Sequence, residues 1–220
     1  MVKVAVVLSG CGYLDGSEIH ESVLTLLALD RAGAVVTCLA PDVAQSSVID
    51  HVNKEPANEK RNVLVESARI ARGKIADVAR AKAADFDAVV LPGGYGAAKN
   101  LCNFAVKGAA AEVEPAVARF LREAFHAKKP IGAWCIAPAT VAAALRDEKA
   151  GLKLTIGSDP ATASALQAMG AKHVTCPVDE ARTDDVHRIV STPAYMCDAR
   201  IAEVAAGIDI AVAALLKMAR

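Results

Sequence analysis

Short β-branched runs alternate with helix-forming stretches along the whole chain: "VKVAVVL" (2–8), "AVVTCLA" (34–40), "FDAVVLP" (86–92), "PIGAW" (130–134), "LKLTIG" (152–157) and "VHRIVST" (186–192). Runs this apolar are buried on both faces, and strands separated by helical stretches pair in parallel because the helix supplies the crossover. The pattern predicts an α/β three-layer sandwich, a mainly parallel sheet with helices on both faces. The 220 residues contain no linker-like stretch, so one domain over 1–220 is expected. A hydrophobic fraction of 54% with only 4% aromatics says that Ala, Val, Ile and Leu build its core.

Three segments can be placed on this frame. In "SEIHESVLTLLALDRAG", Ser17 is the expected helix cap, Glu18 and Glu21 fall in the first turns, and Gly33 ends the helix. From about Asp198 to Met218, apolar residues at Ile201, Val204, Ala205, Ile208, Val212 and Leu215 form a stripe expected to lie on the sheet. The polar segment 41–85 is longer than a strand-to-helix connection needs, and is expected to be an elaboration with its own short helix.

Charge and cysteine usage narrow the function. Lys+Arg and Asp+Glu both number 25, which gives no electrostatic reason to expect nucleic acid or an anionic membrane as partner. No apolar run approaches the ~18 residues of a membrane span, so small molecules or proteins are the partners left to expect. Cys11, Cys38, Cys102, Cys135, Cys176 and Cys197 show neither CxxC pairs nor a Cys/His spacing, so no metal site and no disulfide framework is predicted. Free thiols, and an apolar start too short for a signal peptide, point to a cytoplasmic protein. Cys38 and Cys102 read as core residues and Cys11 as packing at the edge of the sheet.

Cys135 differs from the others by its place. In "GAWCIAPAT" it stands between a strand ending at Trp134 and a helix that begins around Pro138. A helix N-terminus offers unpaired N–H groups and a positive dipole end, so Cys135 is expected to be the most acidic of the six thiols. "VVLPGGYGAAKNL" puts Gly93 and Gly94 after a neighbouring strand, where backbone can approach a ligand and turn N–H groups toward it. In "SEIHES", Glu18 and Glu21 share a helix face, while His20 points about 160° away from Glu18. A carboxyl beside the thiol would hold a proton when the thiolate forms and move it near neutral pH. His20, Asn100, Asp159 and Tyr195 are further candidates for the pocket.

These stretches resemble the ThiJ/PfpI superfamily, whose fold is that of flavodoxin-like, class I glutamine amidotransferase-like proteins. "LSGCGYLDGSEIHE", "RNVLVESARIARG", "PGGYGAAKNL", "CIAPA", "LTIGSD", "CPVD" and "STPAYM" are together similar to its ElbB-type branch, glyoxalase-like proteins also called enhancing lycopene biosynthesis proteins and linked to isoprenoid biosynthesis. The resemblance implies that Cys135 is the nucleophile, Glu21 its paired carboxyl, and the N–H groups of Gly94 and Ile136 the oxyanion donors. It also implies a homodimer. Two departures stand out. Protease-like members have a His directly after the nucleophile, where this chain has Ile136. In another branch a His follows the next strand, where this chain reads Gly157, Ser158 and Asp159.

A glutamine amidotransferase also needs a downstream His-x-Glu, but the downstream histidines here read His173-Val-Thr and His187-Arg-Ile. Amide hydrolysis then lacks the acid that protonates the leaving amine. Aldehyde conversion needs only a thiolate, an oxyanion pocket and a proton shuttle. The expected activity is a cofactor-independent, glutathione-independent glyoxalase of the hydro-lyase type, of modest rate, taking glyoxal or a similar dicarbonyl through a Cys135 hemithioacetal. The rival readings with the same Cys–Glu pair are a redox-responsive interaction protein and a protein deglycase.

Overall fold

The computed structural model describes residues 1–220. Its strands are β1 (Lys3–Val7), β2 (Val35–Ala40), β3 (Ile49–Asp50), β4 (Glu55–Pro56), β5 (Ile75–Asp77), β6 (Ala88–Leu91), β7 (Ile131–Trp134), β8 (Lys153–Leu154), β9 (Lys172–His173), β10 (Arg182–Asp184) and β11 (Ile189–Thr192). Its helices are α1 (Ile19–Arg31), α2 (Val63–Ile70), α3 (Tyr95–Lys99), α4 (Phe104–Lys107), α5 (Pro115–His126), α6 (Ala137–Ala144), α7 (Pro160–Ala168) and α8 (Ile201–Ala219). One seven-stranded sheet runs in the order β10-β11-β7-β6-β1-β2-β5, parallel throughout except for β10 against β11. This is the expected three-layer α/β sandwich with a flavodoxin-like, class I glutamine amidotransferase-like sheet.

Alternation along each strand divides the interior into two layers. Val4, Val6, Ala88, Val90 and Trp134 face one core with residues of α1 and α8, including Leu29, Val204, Ile208 and Leu215. Ala5, Val7, Val89, Leu91, Ile131 and Ala133 face the other, with Val117, Phe120 and Leu121 of α5 and Val141 of α6. Chain order reverses direction across the sheet between β1 and β6, and the carboxyl ends flanking that point form the crevice where such folds bind ligands. The loops after β1, β6 and β7 all open there.

Several expectations are corrected in detail. The run 152–157 contributes only β8, which pairs with β9 in a separate two-stranded sheet. Lys153 N–H instead donates to Asp184 at 2.8 Å, which moors this run beside the sheet without extending its ladder. Ser17 does not cap α1; Glu18 does, accepting from Glu21 N–H at 2.7 Å. Ser17 is turned inward, and its hydroxyl accepts from Ser9 N–H at 2.8 Å. Ile201 is 48% exposed, so the buried stripe of α8 begins at Val204. Segment 41–85 does carry its own helix, α2, but it also contributes β5 to the sheet edge and clasps the loop after β1. Ser67 accepts from Gly10 N–H at 2.8 Å, and Asp15 accepts from Ile49 N–H at 2.7 Å.

Candidate active site

Cys135 occupies a sharp corner between β7 and α6. Its φ is +56°, a left-handed conformation that a non-glycine residue holds only when its surroundings fix it. They do: Cys135 N–H donates to Thr192 O at 3.0 Å, and Trp134 before it is fully buried. The strained turn aims the sulfur at the switch-point crevice instead of into the core, and 7% of the residue is exposed.

The loop after β6 closes against this corner. A Cβ on Gly93 would stand 2.4 Å from Cys135 Cβ and 2.8 Å from a Glu21 carboxyl oxygen, so only glycine admits the carboxyl and the thiol side by side. Gly94 has φ +92°, and a Cβ there would meet Glu18 N at 2.3 Å. Two roles predicted together for this pair separate. Gly93 N–H donates to Glu21 at 2.8 Å, whereas Gly94 N–H, with Ile136 N–H, is directed at the Cys135 sulfur.

Glu21 is fully buried and reaches Cys135 from the first turn of α1. Its second oxygen accepts from Tyr195 N–H at 3.2 Å. Thr25 donates to Glu21 O at 2.6 Å and accepts from Trp134 Nε1–H at 2.9 Å, which joins the turn bearing the carboxyl to the strand bearing the thiol. Burial first, and then the charge of Glu18, raise the Glu21 carboxyl to about 8. Burial, followed by the charge of Glu21, pushes the Cys135 thiol well above its usual range, against the stabilising N–H groups of Gly94 and Ile136. The expectation of an unusually acidic thiol is thereby corrected. Two acids share one dry site, and near neutral pH the site keeps its protons. Loss of one proton leaves a monoanion whose charge rests first on Glu21, and transfer of the thiol proton to that carboxylate gives the reactive form, in which neutral Glu21 faces the thiolate. In that state the repulsion raising the thiol is gone and both N–H donors remain.

A cavity of about 270 Å³ opens over the sulfur, lined by Glu18, Gly94, Phe104, Ile136, Tyr195 and Met196 among others. Glu18 thus shares the pocket face of α1 with Glu21. His20 does not reach the cavity; its Nδ1 lies 2.9 Å from the Tyr195 hydroxyl, one residue removed from the pocket. Tyr195 is therefore better placed than His20, both by its side chain on the wall and by its N–H on Glu21. Two candidates fall outside. Asn100 is a buried clasp, donating to Ser9 O and Asp15 O, both at 2.8 Å, and accepting from Ser46 N–H at 2.9 Å. Asp159 caps α7, accepting from Thr162 N–H at 2.7 Å, and it is Thr162 that lines the cavity. Sequence spacing missed Phe104, Thr162 and Met196, which arrive from three separate connections with no motif to announce them. Cys11 does not line the cavity; burial and the charge of Glu66 raise its thiol.

The chain is similar to known proteins over nearly its whole length. The chain is 47% identical to a Homo sapiens protein, glutamine amidotransferase-like class 1 domain-containing protein 3, mitochondrial, across 98% of this chain and 83% of that one. It is 46% identical to the Rattus norvegicus ES1 protein homolog, mitochondrial, across 98% and 84%. These mitochondrial relatives overturn the cytoplasmic expectation, which rested on free thiols and a short apolar start. A crystal structure of an isoprenoid biosynthesis protein with amidotransferase-like domain from Ehrlichia chaffeensis superposes with a TM-score of 0.94 at 43% identity, covering 100% of both chains. The model of the DJ-1/PfpI family matches residues 3–180, a span that includes Glu21, both glycines and the Cys135 corner, and the chain belongs to that family.

Proposed function

We propose that the protein converts a small 2-oxoaldehyde to the corresponding 2-hydroxy acid without glutathione, using Cys135 as nucleophile and Glu21 as proton shuttle. The observation that carries this reading is the shared proton site: a buried carboxyl raised to about 8, packed with the Cys135 thiol against the same Gly93, with two backbone N–H groups facing that thiol. No histidine lines the cavity, so the reading needs no leaving-group acid.

The thiolate adds to one aldehyde carbon. Charge moves from sulfur to an oxygen two bonds away, within reach of the N–H groups of Gly94 and Ile136 that faced the sulfur. That oxygen takes the Glu21 proton, giving a neutral hemithioacetal and a carboxylate. Glu21 then removes the hydrogen of the carbon bound to sulfur, and an enediol forms as the second carbonyl oxygen is protonated. Return of a proton to the second carbon leaves a thioester of the 2-hydroxy acid, and hydride equivalents stay within the molecule. Water cleaves the thioester and restores the thiol. A thioester is activated, so this step tolerates the absence of an imidazole that an amide would require.

The names of the relatives do not include a glyoxalase. Assignment to the ElbB-type branch is part of this reading, supported by likeness to the Ehrlichia chaffeensis protein. So is a homodimer, which the mass in dilute solution tests. The deciding measurement is glycolate formation from glyoxal by metal-free protein, with Cys135→Ser and Glu21→Gln as controls. Loss of product with Cys135→Ser, and a fall of ~10²-fold or more with Glu21→Gln, is the expected result. Full activity of Cys135→Ser overturns the mechanism.

A further inference from the structure

We infer that the cavity over Cys135 selects uncharged carbonyl compounds carrying an aryl or bulky alkyl substituent, so that the preferred substrate is a 2-oxoaldehyde of this kind and not glyoxal itself. This rests on the aldehyde chemistry proposed for Cys135 and narrows its substrate.

The lining carries the inference. The chain has only three tyrosines, and Tyr13, Tyr95 and Tyr195 all line this one cavity, joined by Phe104 and Met196. A protein with 4% aromatic residues has gathered half of its eight aromatic side chains at one sulfur. Aromatic and thioether walls remove apolar surface from water and stack on rings, but they replace few of the hydrogen bonds of a small hydrated dialdehyde. At about 270 Å³ the space falls just under the range of drug-sized ligands, and it exceeds what two carbons would fill.

Charge points the same way. No Lys, Arg or His lines the cavity, and Glu18 is its one carboxylate. Glu18 is held in place as the α1 cap, so an anionic substrate meets a fixed negative group with no cation to offset it. The nearby Lys99 is committed to the wall: its ammonium lies 5.3 Å over the Tyr95 ring and donates to Leu14 O at 3.1 Å.

Two measurements test this separately from the reaction. The first is alkylation of Cys135 in the intact protein by phenacyl bromide, iodoacetamide and iodoacetate, each rate divided by that with N-acetylcysteine at the same pH. Phenacyl bromide is expected to exceed iodoacetamide at least tenfold and iodoacetate to fall at least tenfold below it. Phe104→Ala and, because it is half exposed and tolerant of change, Tyr95→Ser are expected to draw the aryl ratio toward one. The second is kcat/KM, expected to be at least tenfold higher for phenylglyoxal than for glyoxal, in line with the roughly 10–200-fold that one methylene contributes in an apolar pocket. Equal normalised alkylation rates, or faster iodoacetate, overturn the inference even if glyoxal is turned over. Aryl-selective alkylation without turnover of any dicarbonyl upholds the selective pocket and overturns the reaction.

Discussion

Replacing Glu21 by Gln changes how stability depends on pH, and the size of the change follows from the site. The Glu21 carboxyl stands at about 8 in the fold against 4.5 in the unfolded chain. Between these values the native state holds one more proton than the unfolded state, so rising pH favours unfolding. The contribution of Glu21 is complete below about pH 4.5 and is lost progressively as pH climbs toward 8. Each pH unit inside that window corresponds to about 1.4 kcal/mol, hence about 2.7 kcal/mol from pH 5 to pH 7. Glutamine does not titrate; it leaves one N–H, of Gly93 or Tyr195, facing an amide NH₂, an offset that does not vary with pH. Urea unfolding of both proteins at pH 5, 6 and 7 measures the difference, and groups common to both cancel. The wild type is expected to lose about 1 M in midpoint relative to Glu21→Gln over this range. Parallel curves would mean that Glu21 is ionised throughout, and the neutral acid assigned to it in the mechanism would then be absent.

The same proton site sets the reactivity of the thiol: alkylation of Cys135 by iodoacetamide should rise roughly tenfold per pH unit from 6 to 8, and a maximum near pH 6 would contradict the raised thiol. Gly93→Ala should destabilise the protein by about 3 kcal/mol and stop glycolate formation, since its Cβ overlaps Cys135 and Glu21. Unfolding with a wild-type midpoint would show that the loop can withdraw. Thr25→Val leaves the buried Trp134 indole N–H without its acceptor and should cost about 1–3 kcal/mol, read by the same urea titration.

The strand pattern made most of the fold legible because parallel strands are buried on both faces and leave unbroken apolar runs, as 4–7 and 88–91 do. It misled at 152–157. That run has the composition of a central strand, but it is buried by packing and by the Asp184 contact, so burial and sheet membership, usually coupled, come apart. β5 went unread for the converse reason, since a three-residue, half-exposed edge strand carries no apolar run. Ser17 shows the limit of capping rules: serine outranks glutamate as a cap, yet the inward demand of Ser9 N–H took its hydroxyl and left the helix end to Glu18.

At the site, residues whose role follows from local backbone were readable and residues placed by long-range packing were not. Cys135 and Gly94 declare themselves because a strand-to-helix corner and a glycine turn are local events. Glu21 needed the helical rotation as well, which put it on the face of Glu18 and away from His20. The thiol's proton affinity was misjudged because the sequence shows the helix N-terminus, which lowers it, but hides the depth of burial, which raises it more. Backbone N–H groups act on a thiolate only after it forms, whereas exclusion of water acts on every ionised state of the pair at once. In a dry site holding two acids, the first charge is tolerable and the second is not. The neutral partner is then available to donate whenever its neighbour carries the charge, and that conditional exchange, more than an acidic thiol, is what the Cys135–Glu21 pair brings to an aldehyde.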